Sequence, residues 1–493
     1  MSDLNDFIEK TKLANVVPVI DTLPADLLTP LSVYLKLSHG HTNSFLLESV
    51  EGGESLARYS FIGADPKMLV SGNDELVTIR ESAGESTRKM SIFDFLREHF
   101  AKNKVLEDGE IPSFIGGAIG SLGFSCSSWF EPSLKKHEGS NTGEASFMLF
   151  RSLVAFDHAK QVIKIVSLVF CDESDGDIIR LETLYKDALT ENLRIRNILE
   201  NGPIILPKPN PEFTNGEVRS NWEKADFQSA VLEVKELISS GECYQVVLSQ
   251  CFTKPTSASA VSIYRAMRSL NPSPYMFLLQ SDTRSIIGAS PEMLVKSSGI
   301  KMQYRPIAGT RPRGTTPDED ARLADEMRVD KKEIAEHLML VDLGRNDLGR
   351  VAKFGSIEVR NLMSVEKYSH VQHLVSYLSG NLREGCDRFD AMASCFPAGT
   401  VSGAPKVRAI EIIQKLEPTS RGIYAGAVGY FDYAGNMDTC IAIRTLVLEN
   451  GEAKVQAGAG IVADSVPELE YQETINKAKA LLTAIEIAEN QTM

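Results

Sequence analysis

Residues 423–462 read IYAGAVGYFDYAGNMDTCIAIRTLVLENGEAKVQAGAGIV. Apolar runs alternate with turn signals at Ala434-Gly435-Asn436 and Asn450-Gly451. Asn and Gly tolerate the positive φ that tight hairpin turns require. The segment therefore predicts an antiparallel meander with strands at 423–433, 439–448 and 454–457. Directly after it, Ser465-Val466-Pro467-Glu468 opens a helix with Leu469, Ile475, Ala478, Leu482 and Ile485 on its apolar side. Upstream, Thr316-Pro317-Asp318-Glu319 is a capping box with proline at the first helical position. It predicts one helix through Leu323, Met327, Ile334, Leu338 and Val341. A helix at 224–240 and a strand pair at 275–280 and 285–288 precede it. Antiparallel strands with helices grouped around them predict an α+β fold.

Working back toward the N-terminus, residues 201–212, NGPIILPKPNPE, hold four prolines and can be neither helix nor central strand. This predicts a linker at 201–219 between an N-terminal part, 15–200, and a C-terminal part, 220–488. The first part shows strand-like runs at 43–48, 153–156 and 162–170, a Gly/Ser-rich stretch at 115–128 and a helix at 178–200. No repeat of solenoid period occurs.

The chain has 493 residues, enough for two to four domains. Hydrophobic residues are 43% and charged residues 24%, a globular profile. Lys and Arg number 52 against 66 Asp and Glu, giving a net charge of −14. That argues against nucleic acid and against anionic membranes as partners. No apolar run approaches the ~18 residues of a membrane span. The N-terminus lacks the features of a secretory signal or transit peptide. Seven scattered cysteines without CxxC pairs read as reduced thiols, and a cytoplasmic location is expected.

Glu333 and Glu336 lie three apart on one predicted helix, and Glu470 and Glu473 lie three apart on another. Residues at that spacing are neighbours on a helix surface. Two such helices face to face would offer carboxylate oxygens to a hard cation such as Mg²⁺. The plainer alternative is a solvated salt-bridge face, with Glu473 and Lys477 as an i,i+4 pair. His370 and His373 form an HxxH without a third zinc ligand nearby, so proton transfer or an ordinary core histidine are the open readings. Strand alternation would put Arg444 on one face with Ala442 and Leu446, paired with a buried acid or aimed at a carboxylate. The Gly458-Ala459-Gly460 segment, expected as a loop, and the 306–311 and 397–406 loops offer backbone and hydroxyl donors for an anion. No P-loop, Rossmann fingerprint, GxSxG or GxCxG occurs.

Taken together, CYQVVLSQ (243–250), GASPEML (288–294), RPIAGTRPRG (305–314), EIAEHLMLVDLGRND (333–347), YSHVQHLVS (368–376), FPAGTVSGAPKVRA (396–409) and QAGAGIVADSVPELEYQETINKAKA (456–480) resemble the large subunit (component I) of the anthranilate synthases, a chorismate-utilising family. LLES at 46–49 and RYSFIG at 58–63 extend the resemblance into the N-terminal part. The resemblance implies large antiparallel sheets packed orthogonally with helices outside. It implies a carbon–oxygen lyase that adds ammonia to chorismate and eliminates pyruvate to leave anthranilate, the first committed step of tryptophan biosynthesis. It implies Mg²⁺ held by Glu336 and Glu473, with Glu333 and Glu470 completing the shell. Glu292 matches the acid that protonates the departing ring hydroxyl, His373 the base for pyruvate loss, and Thr400 a further active-site hydroxyl. Tyr424, Arg444, Gly458 and Gly460, with Ala459 between them, match the binding site for the enolpyruvyl carboxylate. Gly309, Thr310 and Lys477 match other substrate contacts.

Within that family, aminodeoxychorismate synthases carry a nucleophilic lysine where Ala308 stands here. Isochorismate and salicylate synthases carry a lysine base at the position of Gln245. Without either lysine, ammonia is the expected nucleophile, supplied from glutamine by a separate amidotransferase subunit. An aminodeoxychorismate synthase and a catalytically silent tryptophan-binding regulator are the rival readings. The resemblance also implies an L-tryptophan inhibitor site from Glu48, Ser49 and Arg58 together with Asn271, Pro274, Tyr275 and Met276. The sequence departs from the family where Tyr is usual at Ser121 and Phe124, Asp at Ser125, and Arg at Ser128 and Cys251. These changes bear on the N-terminal part rather than on the active-site positions.

Overall fold

The computed structural model describes residues 4–49, 58–106, 111–136, 144–368 and 371–490. Its frame is a pair of antiparallel sheets, each an ordered run of 11 strands with a twelfth paired beside it among the described residues: Gly403–Ala404 beside Gln245–Pro255 in the first, and Glu358–Lys367 beside Val371–Asn381 in the second. The first sheet runs Val16–Pro24, Val162–Phe170, Ser152–Asp157, Tyr59–Ala64, Ser44–Glu48, Tyr275–Gln280, Arg284–Ser290, Thr445–Glu449, Glu452–Ile461, Gln245–Pro255, Arg219–Ser220. The second runs Ile307–Pro312, Val371–Asn381, Lys301–Tyr304, Met293–Ser298, Met437–Ile441, Ala427–Asp432, Gly117–Leu122, Ala145–Phe150, Met68–Gly72, Val77–Glu81, Gly84–Arg88. The α+β expectation with large antiparallel sheets is borne out. No helix among the described residues is long and apolar enough to cross a membrane.

Both sheets draw strands from either side of the proline-rich segment. Ser44–Glu48 pairs with Tyr275–Gln280, placing Glu48 opposite Met276. Gly117–Leu122 pairs with Ala427–Asp432. The Gly/Ser-rich stretch thus contains a buried strand, and its small residues are what fit there. A Cβ on Gly120 would lie 1.9 Å from the Ser146 carbonyl oxygen. A continuous apolar core joins residues of both sheets, including Phe45, Phe114, Phe147, Phe277 and Phe431. A second core packs helices Pro30–Ser38, Ala260–Leu270 and Pro467–Asn490 on the first sheet.

The expected meander is corrected at its middle. The 439–448 stretch is two strands in different sheets, Met437–Ile441 and Thr445–Glu449. The chain breaks at 442–444, where Ile443 N–H bonds the Ile441 carbonyl and Arg444 takes φ +50°. Arg444 is therefore at the crossover between sheets and not on a strand face with Ala442 and Leu446. The Gly458–Gly460 segment is also not a loop. It lies in the strand Glu452–Ile461, with Gly458 opposite Ser249 and Gly460 opposite Val247.

The helix expected from Pro317 is two helices, Pro317–Val329 and Lys331–Gly349. Asp330 leaves helical geometry, and its carboxylate accepts from the N–H groups of Lys332 and Glu333. An N-cap of this kind starts a new helix more favourably than it continues an old one. Leu338 and Leu469, assigned to apolar sides, are 43% and 65% exposed.

Candidate active site

One cleft of about 750 Å³ lies between the crossover, the sheet ends and the two carboxylate helices. Glu292, His373, Thr400, Gln245, Gly309, Thr310, Tyr424, Arg444, Gly458, Gly460, Lys477, Glu333, Glu336, Glu470 and Glu473 all line it. Ala459 points the other way, fully buried in the core, as strand alternation requires. His370 lies outside the described residues. Sequence reasoning missed Lys332, Asp464 and Gln456, which also face the cleft, and Arg311, which reaches its carboxylates.

Glu292 follows the strand Arg284–Ser290 and is anchored by its own backbone. Its carbonyl accepts from the Ile441 N–H, while Ser290 Oγ donates to the Ile441 carbonyl at 2.7 Å. Burial pushes its carboxyl up to about 8, against the opposing pull of the neighbouring Thr400 hydroxyl and the Arg305 charge. It is therefore protonated at neutral pH, as a general acid must be. The Thr400 Oγ1 is buried beside the Glu292 carboxyl. His373 Nδ1 lies 2.9 Å from the Gly309 carbonyl oxygen and 3.2 Å from Thr310 Oγ1. Donation to that carbonyl leaves Nε2 as the acceptor nitrogen. Burial lowers the pKa of His373.

Arg444 donates to the Lys477 carbonyl at 2.9 Å, and burial lowers its pKa. A desolvated guanidinium on a cleft wall suits a carboxylate ligand. Beside it, burial pushes the Tyr424 phenol up to about 12, so it remains a neutral donor. Gly458 allows this closeness, since a Cβ there would lie 2.7 Å from the Tyr424 hydroxyl. Behind Tyr424, Arg421 is ion-paired with Glu417 at 2.6 Å and bonds the Val401 and Val247 carbonyls. It thereby ties the short helix Gly399–Ser402, which carries Thr400, to the strand carrying Gln245. The atypical Phe124 packs under this guanidinium at 4.5 Å.

The four glutamates meet across the cleft from two helices, as their spacing predicts. Burial, with Glu333 and Glu473 alongside, pushes the Glu336 carboxyl up. Burial and Glu473 do the same to Glu470. Such acidic crowding suits a hard divalent cation in donor type and charge. In this arrangement internal cations take part of that role. Lys477 pairs with Glu473 at 2.7 Å, and Arg311 pairs with Glu333 at 2.8 Å. Among the described residues, no three metal-ligating side chains converge on one point.

A second, smaller cavity of about 110 Å³ lies at the seam between the two sequence parts. Glu48, Ser49, Arg58, Pro274, Tyr275 and Met276 line it. Asn271 does not; it ends helix Ala260–Leu270 and lies by a separate small void with Arg444. Sequence reasoning did not foresee the polar partners here. Glu48 is held by the Tyr264 hydroxyl and by Arg268, Arg58 by Asp157 at 3.0 Å, and Tyr275 by Asp438 at 3.0 Å.

Residues 42–483 match the chorismate binding enzyme family. The chain belongs to that family. It is 45% identical over 487 residues to anthranilate synthase component 1 of Aquifex aeolicus, covering 96% of each chain. It is 42% identical over 481 residues to that of Pseudomonas putida, again with 96% of each covered. Its structure matches anthranilate synthase component I from Streptococcus pneumoniae with a TM-score of 0.73 and 35% identity, over 93% of this chain and 98% of that one. The menaquinone-specific isochorismate synthase of Escherichia coli has the same fold at 19% identity and a TM-score of 0.70. The resemblance read from the motifs is thus borne out at the level of the family and the fold.

Proposed function

We propose that this chain is the synthase subunit of an anthranilate synthase. The observation that carries the reading is the pair Gln245 and Ala308, both of which line the cleft. The resemblance puts a lysine at one or the other position in branches that use water or an enzyme amine as nucleophile. An amide and a methyl group can serve in neither role, so the nucleophile must enter from outside the chain. Ammonia fits, delivered by a partner glutamine amidotransferase. The protein then works in the cytoplasm, a setting supported by its seven cysteines, which form no disulfide among the described residues.

In this reading Arg444, Tyr424 and the Gly458 and Gly460 backbone hold the enolpyruvyl carboxylate, while Gly309, Thr310 and Lys477 fix the ring. Glu292 gives its proton to the departing ring hydroxyl as ammonia adds, because loss of hydroxide is otherwise prohibitive. His373 Nε2 then takes the ring proton as pyruvate leaves and aromaticity is gained. Glu333, Glu336, Glu470 and Glu473 would hold Mg²⁺, which neutralises the ring carboxylate of chorismate when bound. Residues 220–488 supply this chemistry, and 15–200 supply one wall of a regulatory site. The seam cavity is the proposed L-tryptophan site, since ligand there would bias the placement of both parts.

Turnover of chorismate with ammonium and Mg²⁺, with product identification, tests the activity. Anthranilate is expected; 4-amino-4-deoxychorismate would overturn the assignment. Glu336→Gln should abolish this activity in a folded protein. For regulation, Ser49→Phe should remove inhibition by tryptophan, and unchanged inhibition in a folded variant would place the effector elsewhere.

A further inference from the structure

His373 sits in one cross-strand row. Thr310 lies opposite it on one neighbouring strand and Glu366 opposite it on the other. Directly opposite residues on adjacent strands share a face of the sheet. Behind this row lies Arg305, only 2% exposed. Its guanidinium pairs with Glu366 and donates to the Tyr368 hydroxyl at 2.6 Å. Tyr368 Oη also donates to Glu366 at 3.0 Å, and Tyr377 Oη donates to the other Glu366 oxygen at 2.6 Å. The Arg305 guanidinium also stands 5.3 Å from the Tyr377 ring centre. The Tyr368 ring meets the His373 imidazole edge-on, with centres 5.6 Å apart and planes at 61°. No substrate role falls to any of these four residues, yet they form a connected polar network whose outer ring touches the imidazole. A buried guanidinium is retained at a cost unless its geometry serves something.

We propose that the Arg305–Glu366–Tyr368 cluster is the positioning unit of His373, fixing the ring so that Nδ1–H stays on the Gly309 carbonyl and Nε2 faces the cleft. This rests on the reading of His373 as the base for pyruvate loss. The cluster works in two ways. The Tyr368 edge limits rotation of the imidazole about its hydrogen bond to Gly309. The Arg305 charge disfavours the imidazolium, while Glu366 favours it, so the pair sets the balance. The other groups facing the ring are the Thr310 hydroxyl and the Arg444 guanidinium. Arg305 and Arg444 together oppose Glu366, in the same direction as burial.

The test uses the full chain labelled with ¹⁵N-histidine and long-range ¹H–¹⁵N spectra across pH. His373 is assigned by the signal missing in His373→Gln. The native protein should show the Nδ1–H tautomer. Arg305→Met should raise the His373 pKa by about one unit and Glu366→Gln should lower it, because opposite charges are removed. Tyr368→Phe keeps the ring but removes the hydroxyl that ties it to Arg305 and Glu366. It should mix the tautomers and lower kcat by about tenfold while KM stays within about twofold. Arg305→Lys should restore most of the native pKa. An Nε2–H tautomer in the native protein would overturn the proposal. So would shifts of equal sign, or none, in the two charge variants. If Arg305→Met does not fold, Glu366→Gln and Tyr368→Phe decide alone, being close to isosteric. Should His373→Gln keep full kcat, the base reading fails, while the spectra still decide whether the cluster orients the ring.

Discussion

Glu292 shows how little of a residue's chemistry its type specifies. The same carboxylate that would be ionised on a surface is kept protonated here, because its side chain is buried behind Thr400 and beside Glu336. Its pKa rises from 4.5 in an ordinary setting to about 8. Two consequences follow with definite signs. For activity, the acid form disappears as pH rises through about 8, so kcat/KM should fall on that side, and Glu292→Gln should lose turnover at every pH. For stability, the folded chain between those two values keeps a proton that the unfolded chain has released. The cost of burying this group therefore grows as pH rises across that window and is complete above it. Glu292→Gln should raise Tm more at about pH 9 than at about pH 5. Equal gains at both pH values would mean that the carboxyl ionises normally.

At the scale of elements, the spacing of Glu333, Glu336, Glu470 and Glu473 was readable because helical geometry converts sequence distance directly into a shared face. The limits of the meander were not. Nothing in Cys440–Leu446 marks the change of sheet, since both strands are apolar and the break is a backbone event at Arg444. The Asp330 cap was hidden for a related reason: the apolar rhythm continues through it, and only its side-chain bonds divide the helix. Arg305 and Glu366 escaped notice because their partners come together only through strand pairing. The glycines of the Glu452–Ile461 strand are a subtler case. Their φ angles are ordinary, and it is close approach that excludes a side chain. At Gly458 a Cβ would meet the Val247 side chain at 2.9 Å and the Leu248 carbonyl at 3.0 Å, besides the Tyr424 hydroxyl. At Gly460 it would meet only the Gln245 side chain, its amide nitrogen at 2.6 Å. Gly458→Ala should therefore lower kcat/KM by about a hundredfold through displacement of Tyr424, with the milder loss at Gly460→Ala. Steady-state kinetics on variants with native melting profiles checks the order.

The whole molecule is organised differently from what its proline-rich segment suggests. Cutting the chain conceptually near residue 210 leaves two sets of strands that need each other. Without the N-terminal part, Tyr275–Gln280 loses Ser44–Glu48 and Ala427–Asp432 loses Gly117–Leu122. Both seams lie in the middle of their sheets and are lined by buried side chains. Residues 220–493 expressed alone would thus carry two long apolar edges, the arrangement that drives aggregation. The segment itself tolerates a break: Ile204, Ile205 and Leu206 are exposed and belong to no ladder. Protease cleavage there should leave one particle by size exclusion, with a single unfolding transition and undiminished ammonia-dependent turnover. The isolated 220–493 fragment should be insoluble or melt without cooperativity, and should recover activity when co-expressed with 1–200. A monomeric, cooperatively folding and active fragment would show that catalysis does not depend on the shared sheets. It would also remove the physical basis for a regulatory signal at the seam, where Glu48 and Met276 lie opposite each other across the strand pair.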